Sequence, residues 1–173
     1  MPSGSVHNLI NTGAFLLIAG STAYAKQQGY VDPSIPEILA FTGTFFVGTF
    51  MMSPDLDLAE QNVSSKKAWG IFGFIWVPYG KMFSHRGLSH TWIVGPLTRL
   101  VYLTILLAAL YYLAILILPD LKSRIRFENV PRTLEFWQPY ILGYYVSQWL
   151  HLIADGISPD MRALSRTFKK KKR

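Results

Sequence analysis

The chain has 173 residues, of which 50% are hydrophobic and 16% charged, with no cysteine and a formal net charge of +7. Residues 1–173 suit a single domain, the missing thiols exclude a disulfide framework and a thiolate metal site, and a charged fraction below the roughly one quarter of soluble globular proteins points toward lipid. Five positive charges form the run Lys169, Lys170, Lys171, Lys172 and Arg173, so residues 165–173 are expected as a flexible basic tail. Without interleaved aromatic residues such a tail fits an anionic membrane surface and excludes a nucleic-acid-binding face.

The first residues, through His7, lack the positive region that opens a secretory signal, so the apolar run 8–25 is expected to stay in the mature protein. This run and the next, 38–54, carry Gly, Ser and Thr, which lets membrane helices pack closely against protein neighbours. Residues 68–80, with Trp69, Trp76, Pro78 and Tyr79, are too short to span and predict an interfacial or re-entrant helix, although a buried soluble helix fits the same residues. The run 100–119 is almost wholly Leu, Ile, Ala and Tyr and is the strongest spanning segment, followed by 136–154 with its spread of aromatic residues. The fold class is therefore all-α, a helical bundle with about four membrane-spanning helices and one short interfacial or re-entrant helix.

Charge tests the topology. With the N-terminus inside, residues 55–57, 66–90 and the C-terminal tail lie on the inner side, which then holds eleven Lys and Arg against five outside, Arg99 being set aside. This obeys the positive-inside rule and makes both termini cytoplasmic. The same assignment brings His7, Asp55, Asp57, His85, His90, His151 and Asp155 to one side. A soluble helical bundle gathers them at one end equally well.

These residues include all four histidines of the chain. Imidazole nitrogen and carboxylate oxygen hold zinc, manganese or iron, and a metal-activated water is a common route to hydrolysis near neutral pH. His7 precedes the first apolar run, where a lone histidine is ordinary surface decoration; its predicted side brings it into the set. Asp55 and Asp57 diverge on a continuous helix, but Pro54 breaks the pattern and a turn can aim both inward. Two like charges so close repel unless a cation or several donors lie between them. The alternative is a solvated helix start, with Ser53 as N-cap and Pro54 at the first helical position, chemistry repeated at Ser158, Pro159 and Asp160.

In the stretch from Ser84 to His90, His85 and His90 stand too far round a helix to share a face, so Gly87 reads as a turn that lets them converge. Ser89 then caps the helix that follows, and Arg86 offers a bidentate grip on phosphate or carboxylate. His151 and Asp155 share one helix face a turn apart. The plainer alternative is a core histidine beside a helix-ending carboxylate. Lys66, Lys67 and Lys81 attract either an anionic substrate or anionic lipid.

The order of His7, Ser-Pro-Asp-Leu-Asp at 53–57, His-Arg-Gly-Leu-Ser-His at 85–90 and His-Leu-Ile-Ala-Asp at 151–155 resembles a family of bacterial membrane proteins. These are the predicted inner-membrane metal-dependent hydrolases and their relatives labelled as uncharacterised metal-binding proteins. More distantly the chain resembles the all-helical zinc-dependent phospholipase C group. The resemblance implies a helical metallohydrolase of the bacterial inner membrane whose ligands are His7, Asp55, Asp57, His85, His90, His151 and Asp155. The phospholipase group carries further histidine and glutamate ligands that this chain lacks, so one or two metal ions are expected in place of three.

The function expected is a membrane-embedded metal-dependent hydrolase acting on a phosphoester or other anionic ester, with membrane lipids as partners. Its cofactor is a divalent metal, zinc or manganese, held by His85, His90, His151 and one or both of Asp55 and Asp57. Asp57 or Asp155 takes the proton and Arg86 neutralises developing charge. The alternative is a non-catalytic metal-binding membrane scaffold or assembly protein. A third possibility has no metal, the polar residues forming an interhelical network around an ion path.

Overall fold

The computed structural model describes residues 3–58, 63–83, 87–121 and 130–158, and its regular structure there is entirely helical. The first helix, α1, spans Gly4–Gln27, with Ser3 at its N-cap in extended conformation. His7 therefore lies inside α1, which corrects its expected place ahead of the first helix. The helix starts early because the Ser3 carbonyl accepts hydrogen bonds from the backbone N–H groups of Val6 (2.9 Å) and His7 (3.1 Å), and it buries His7 and Asn11 one turn apart.

The second helix, α2, spans Ile35–Phe46 and opens with a reciprocal capping box between Ser34 and Glu37. It runs on into a wider π turn, Val47–Met51, followed by a 3-10 turn, Pro54–Asp57. The π turn places Gly48 so close to the last long helix that a β-carbon there would fall 2.0 Å from Ser147 Oγ.

The short segment 68–80 is divided where one helix was expected. The chain forms α3, Ser64–Ala68, then a 3-10 turn, Gly70–Ile75, then α4, Trp76–Met82. Gly70 causes the division, since its left-handed backbone (φ 55°) ends α3 as a helix-terminating glycine does.

Two long helices complete the described fold, α5 at Val94–Ile117 and α6 at Leu134–Ala154. Ser89 was expected to cap α5. Instead Ile93 occupies the N-cap, and Thr91, two residues ahead of it, accepts a hydrogen bond at Oγ1 from the Gly95 N–H (2.8 Å).

Helices α2 and α6 form the most extensive pairing. Gly143 on α6 allows it, because a β-carbon there would stand 2.2 Å from the Phe41 carbonyl oxygen. The chain alternates direction, so the start of α1, the end of α2, the start of α5 and the end of α6 share one end of the bundle. The buried apolar cluster of Met52, Leu56, Trp76, Tyr79 and Tyr144 lies at that end.

The long helices bury several polar side chains and expose many apolar ones. Buried positions include Asn11, Thr49, Arg99, Ser147 and Gln148, while Leu16, Leu17, Ile105, Leu113 and Leu116 are exposed. Two segments, Ile35–Asp57 and Val94–Ile117, with mean hydropathies of 1.4 and 2.5, are long and apolar enough to cross a membrane. Helices α1 and α6 fall short because residues such as Asn11, Thr12, Gln138 and Gln148 reduce their hydropathy.

Candidate metal centre

Three separate segments bring their donors together at this end. His7 comes from the first turn of α1. His151 comes from the last turn of α6, and Asp155 is the residue that ends that helix. Gly156 adopts a left-handed conformation (φ 70°) immediately afterwards, which turns the backbone away and leaves the Asp155 side chain under the last turn. Asp55 arrives from the 3-10 turn that follows α2.

Donor atoms of His7, His151 and Asp155 all lie within 4.8 Å of one another. His7 Nε2 stands 3.2 Å from Asp155 Oδ1, and His151 Nε2 stands 3.7 Å from Asp155 Oδ2 and 3.6 Å from Asp55 Oδ1. Two ligands each about 2.1 Å from a tetrahedral centre stand about 3.4 Å apart, so these separations suit a shared cation. The imidazoles stack with their centroids 3.8 Å apart.

The bonding pattern favours the same interpretation. Both oxygens of Asp155, Nδ1 of His7 and Nε2 of His151 are buried without a hydrogen-bond partner among the described residues. The close approach of His7 to Asp155 is thus a contact of misaligned groups. Buried carboxylates are costly unless paired or bound to a metal. Burial, and next the adjacent His151 ring, lower the His7 pKa from its ordinary value, which favours the neutral ring that a cation requires. The donor set fits a divalent metal held by His7, His151 and Asp155, with Asp55 at the edge of the group.

Asp57 belongs to a neighbouring arrangement. Its Oδ2 accepts a hydrogen bond from Ser89 Oγ (2.6 Å) and lies 3.0 Å from His90 Nδ1. Asp55 and Asp57 thus leave one 3-10 turn toward different histidines. The hydroxyl of Ser53 does not cap this turn but donates to Ser65 Oγ (3.1 Å). Lys66, on α3, donates to the Leu58 carbonyl, and burial lowers its pKa against the opposing charge of Asp57. His85 and Arg86 lie outside the described residues, as do Ser84, Pro159, Asp160 and the tail.

Several supporting residues carry no motif. Arg99 is fully buried; it donates to the Ser89 carbonyl (3.0 Å) and to Gln148 Oε1 (2.8 Å). Gln148 in turn donates to the Gly48 carbonyl (3.0 Å), and Asn11 donates to Ser147 O (3.0 Å) and Thr49 Oγ1 (3.1 Å). These bonds tie α1, α2, α5 and α6 around the histidines. The available signals were Arg99 as the sole charge within α5, and the helical spacing of Asn11 from His7 and of Gln148 from His151. A cleft of about 540 Å³ at the opposite end, lined by Phe15, Ile18, Phe41 and Leu142 among others, contains none of the histidines.

The chain is similar to an uncharacterized protein of Aquifex aeolicus (strain VF5), with 32% identity over 123 residues that cover 66% of this chain and 86% of the relative. No solved structure matches it. The family described as uncharacterized metal-binding protein (DUF2227) matches residues 2–165, a span that runs from ahead of His7 to beyond Asp155. This chain belongs to that metal-binding family.

Proposed function

We propose that the protein is a membrane-embedded metal-dependent hydrolase that cleaves a phosphoester or other anionic ester. The observation that carries this reading is the convergence of His7, His151 and Asp155, whose donor atoms lie within 4.8 Å of one another and each of which has a buried atom without a hydrogen-bond partner among the described residues. A divalent cation, zinc or manganese, would be held by His7, His151 and Asp155 and would supply Lewis acidity toward the ester and toward water. Asp55 completes the ligand set. Asp57, oriented by Ser89, holds His90 and with it forms the proton-accepting pair, while Asp155 remains a ligand. Arg86, outside the described residues, keeps its assignment to developing negative charge. The apolar exterior and the two long apolar segments support membrane embedding, with four spans and cytoplasmic termini as its full form.

Detergent-purified protein is expected to carry zinc or manganese that is lost in His151→Ala, and to turn over members of a phosphoester panel. Wild type that retains its metal and hydrolyses nothing would sink the enzymatic reading. A second reading, a non-catalytic metal-binding scaffold, is favoured by burial: His7 and His151 are 2% and 3% exposed, as in closed structural centres. Manganese-substituted protein separates the two, since an open coordination position enhances solvent-water relaxation and a closed one does not.

A further inference from the structure

The 3-10 turn Gly70–Ile75 has an exterior unlike the rest of this end of the bundle. Ile71, Phe72 and Phe74 are 83%, 59% and 68% exposed. Exposed apolar residues elsewhere are found chiefly on the long helices, where length alone invites a hydrocarbon environment. This turn is too short for that explanation.

Its ends are anchored in the protein. Trp69 Nε1 donates to the Met51 carbonyl (2.8 Å), Trp76 is completely buried, and the Tyr102 hydroxyl donates to the Ile75 carbonyl. Gly73 backs onto α3 so closely that a β-carbon would stand 2.6 Å from the Lys66 carbonyl oxygen. The turn therefore cannot roll its apolar side chains inward. On either side, Lys67 of α3 and Lys81 of α4 are exposed. Apolar and aromatic side chains flanked by lysines match the acyl–headgroup boundary of an anionic bilayer, where such residues sit about 5–10 Å deep.

We propose that Ile71, Phe72 and Phe74 insert into an anionic lipid surface, with Lys67 and Lys81 against lipid phosphates, at the end of the bundle that carries His7, His151 and Asp155. The turn is coupled to the centre through Ser65, which bonds Ser53, and Lys66, which bonds Leu58, on both sides of the Asp55 turn. Lipid headgroups are thereby held beside the metal ligands, and the ester class presented to them is that of a lipid headgroup. The inference rests on the membrane reading above and not on hydrolysis.

The cysteine-free sequence permits single-site labelling. Nitroxides at Ile71→Cys, Phe72→Cys and Phe74→Cys, with Gln28→Cys as an exposed control, are compared in full-length protein reconstituted into nanodiscs of phosphatidylcholine with and without phosphatidylglycerol. Collisional relaxation is measured with oxygen and with a water-soluble chromium chelate. The three labels are expected to favour oxygen several-fold over the control. That preference increases with phosphatidylglycerol, and the increase disappears in the Lys67→Gln/Lys81→Gln background. Labels as open to the chelate as free nitroxide overturn the proposal. Labels shielded from both reagents also overturn it, because a protein surface, such as a second copy of the chain, then covers the turn. Metal content of the same samples separates the failures: retained metal with aqueous labels removes only the lipid contact, and inserted labels without metal preserve it while removing the metal-centre reading.

Discussion

Asp155 is the residue with most to gain from a cation. Its carboxylate is wholly buried, neither oxygen accepts a hydrogen bond among the described residues, and its nearest imidazole, His7, is held toward the neutral form. Asp155→Asn removes the uncompensated charge but also the anionic ligand. Metal-free protein should therefore gain about 1–3 kcal/mol of stability from the substitution, while the stabilisation conferred by added zinc disappears. Thermal unfolding with and without chelator measures both effects; an Asn variant that is less stable without metal yet still stabilised by zinc contradicts the assignment. Asp57 differs because Ser89 and His90 already engage it. Asp55 and Asp57 of one Asp-Leu-Asp stretch face different histidines, His151 and His90, despite their proximity in sequence.

At the scale of elements, the close approach of α2 to α6 depends on two glycines. A β-carbon on Gly48 would meet Ser147 Oγ at 2.0 Å, and one on Gly143 would meet the Phe41 carbonyl at 2.2 Å. Gly48→Ala and Gly143→Ala should each destabilise the bundle by about 1–3 kcal/mol, and Gly48→Ala should also weaken metal binding by shifting the turn that carries Asp55. Unfolding midpoints and metal titrations of the two variants test this.

The long helices were legible because each is one apolar run, and the His151–Asp155 pair because helical spacing places both on one face. The His7 position was legible only through sidedness, since its partners are remote in sequence. The division of residues 68–80 was missed because Gly70 acts through its backbone angle, which hydropathy does not register. In the sequence Arg99 reads as a charge near the start of a span, whereas its bonds to Ser89 and Gln148 exist only in the folded chain. The conversion of the end of α2 into a π turn followed by a 3-10 turn likewise had no signal beyond Pro54.

For the molecule as a whole, the described helices bury polar groups such as Asn11, Arg99 and Gln148 beside an apolar cluster and leave many Leu and Ile side chains exposed, so apolar area buried within the protein is an incomplete guide to what stabilises it. Interhelical hydrogen bonds of Asn11, Arg99 and Gln148 add to the close packing at Gly48 and Gly143, and a cation held by His7, His151 and Asp155 would add a further link. Chelation should therefore lower the unfolding midpoint of the entire bundle, and saturating metal at a hundredfold excess over its dissociation constant should raise stability by about 2.7 kcal/mol. Acidification to well below the ordinary imidazole value of about 6.5 should release the ion, because His7, whose pKa burial lowers, binds only when deprotonated. Metal occupancy against pH, followed by elemental analysis after gel filtration, checks the sign: occupancy that rises on acidification rules these ligands out.

His7 and Asp155 stand near opposite ends of the described chain, and most of the polypeptide lies between them. An ion held by both residues would fasten a loop of nearly full length, much as a clasp closes a necklace. Such a fastening restricts the unfolded ensemble more than a local one does, so the ion's departure should first be felt as the parting of the earliest-made helix from the last.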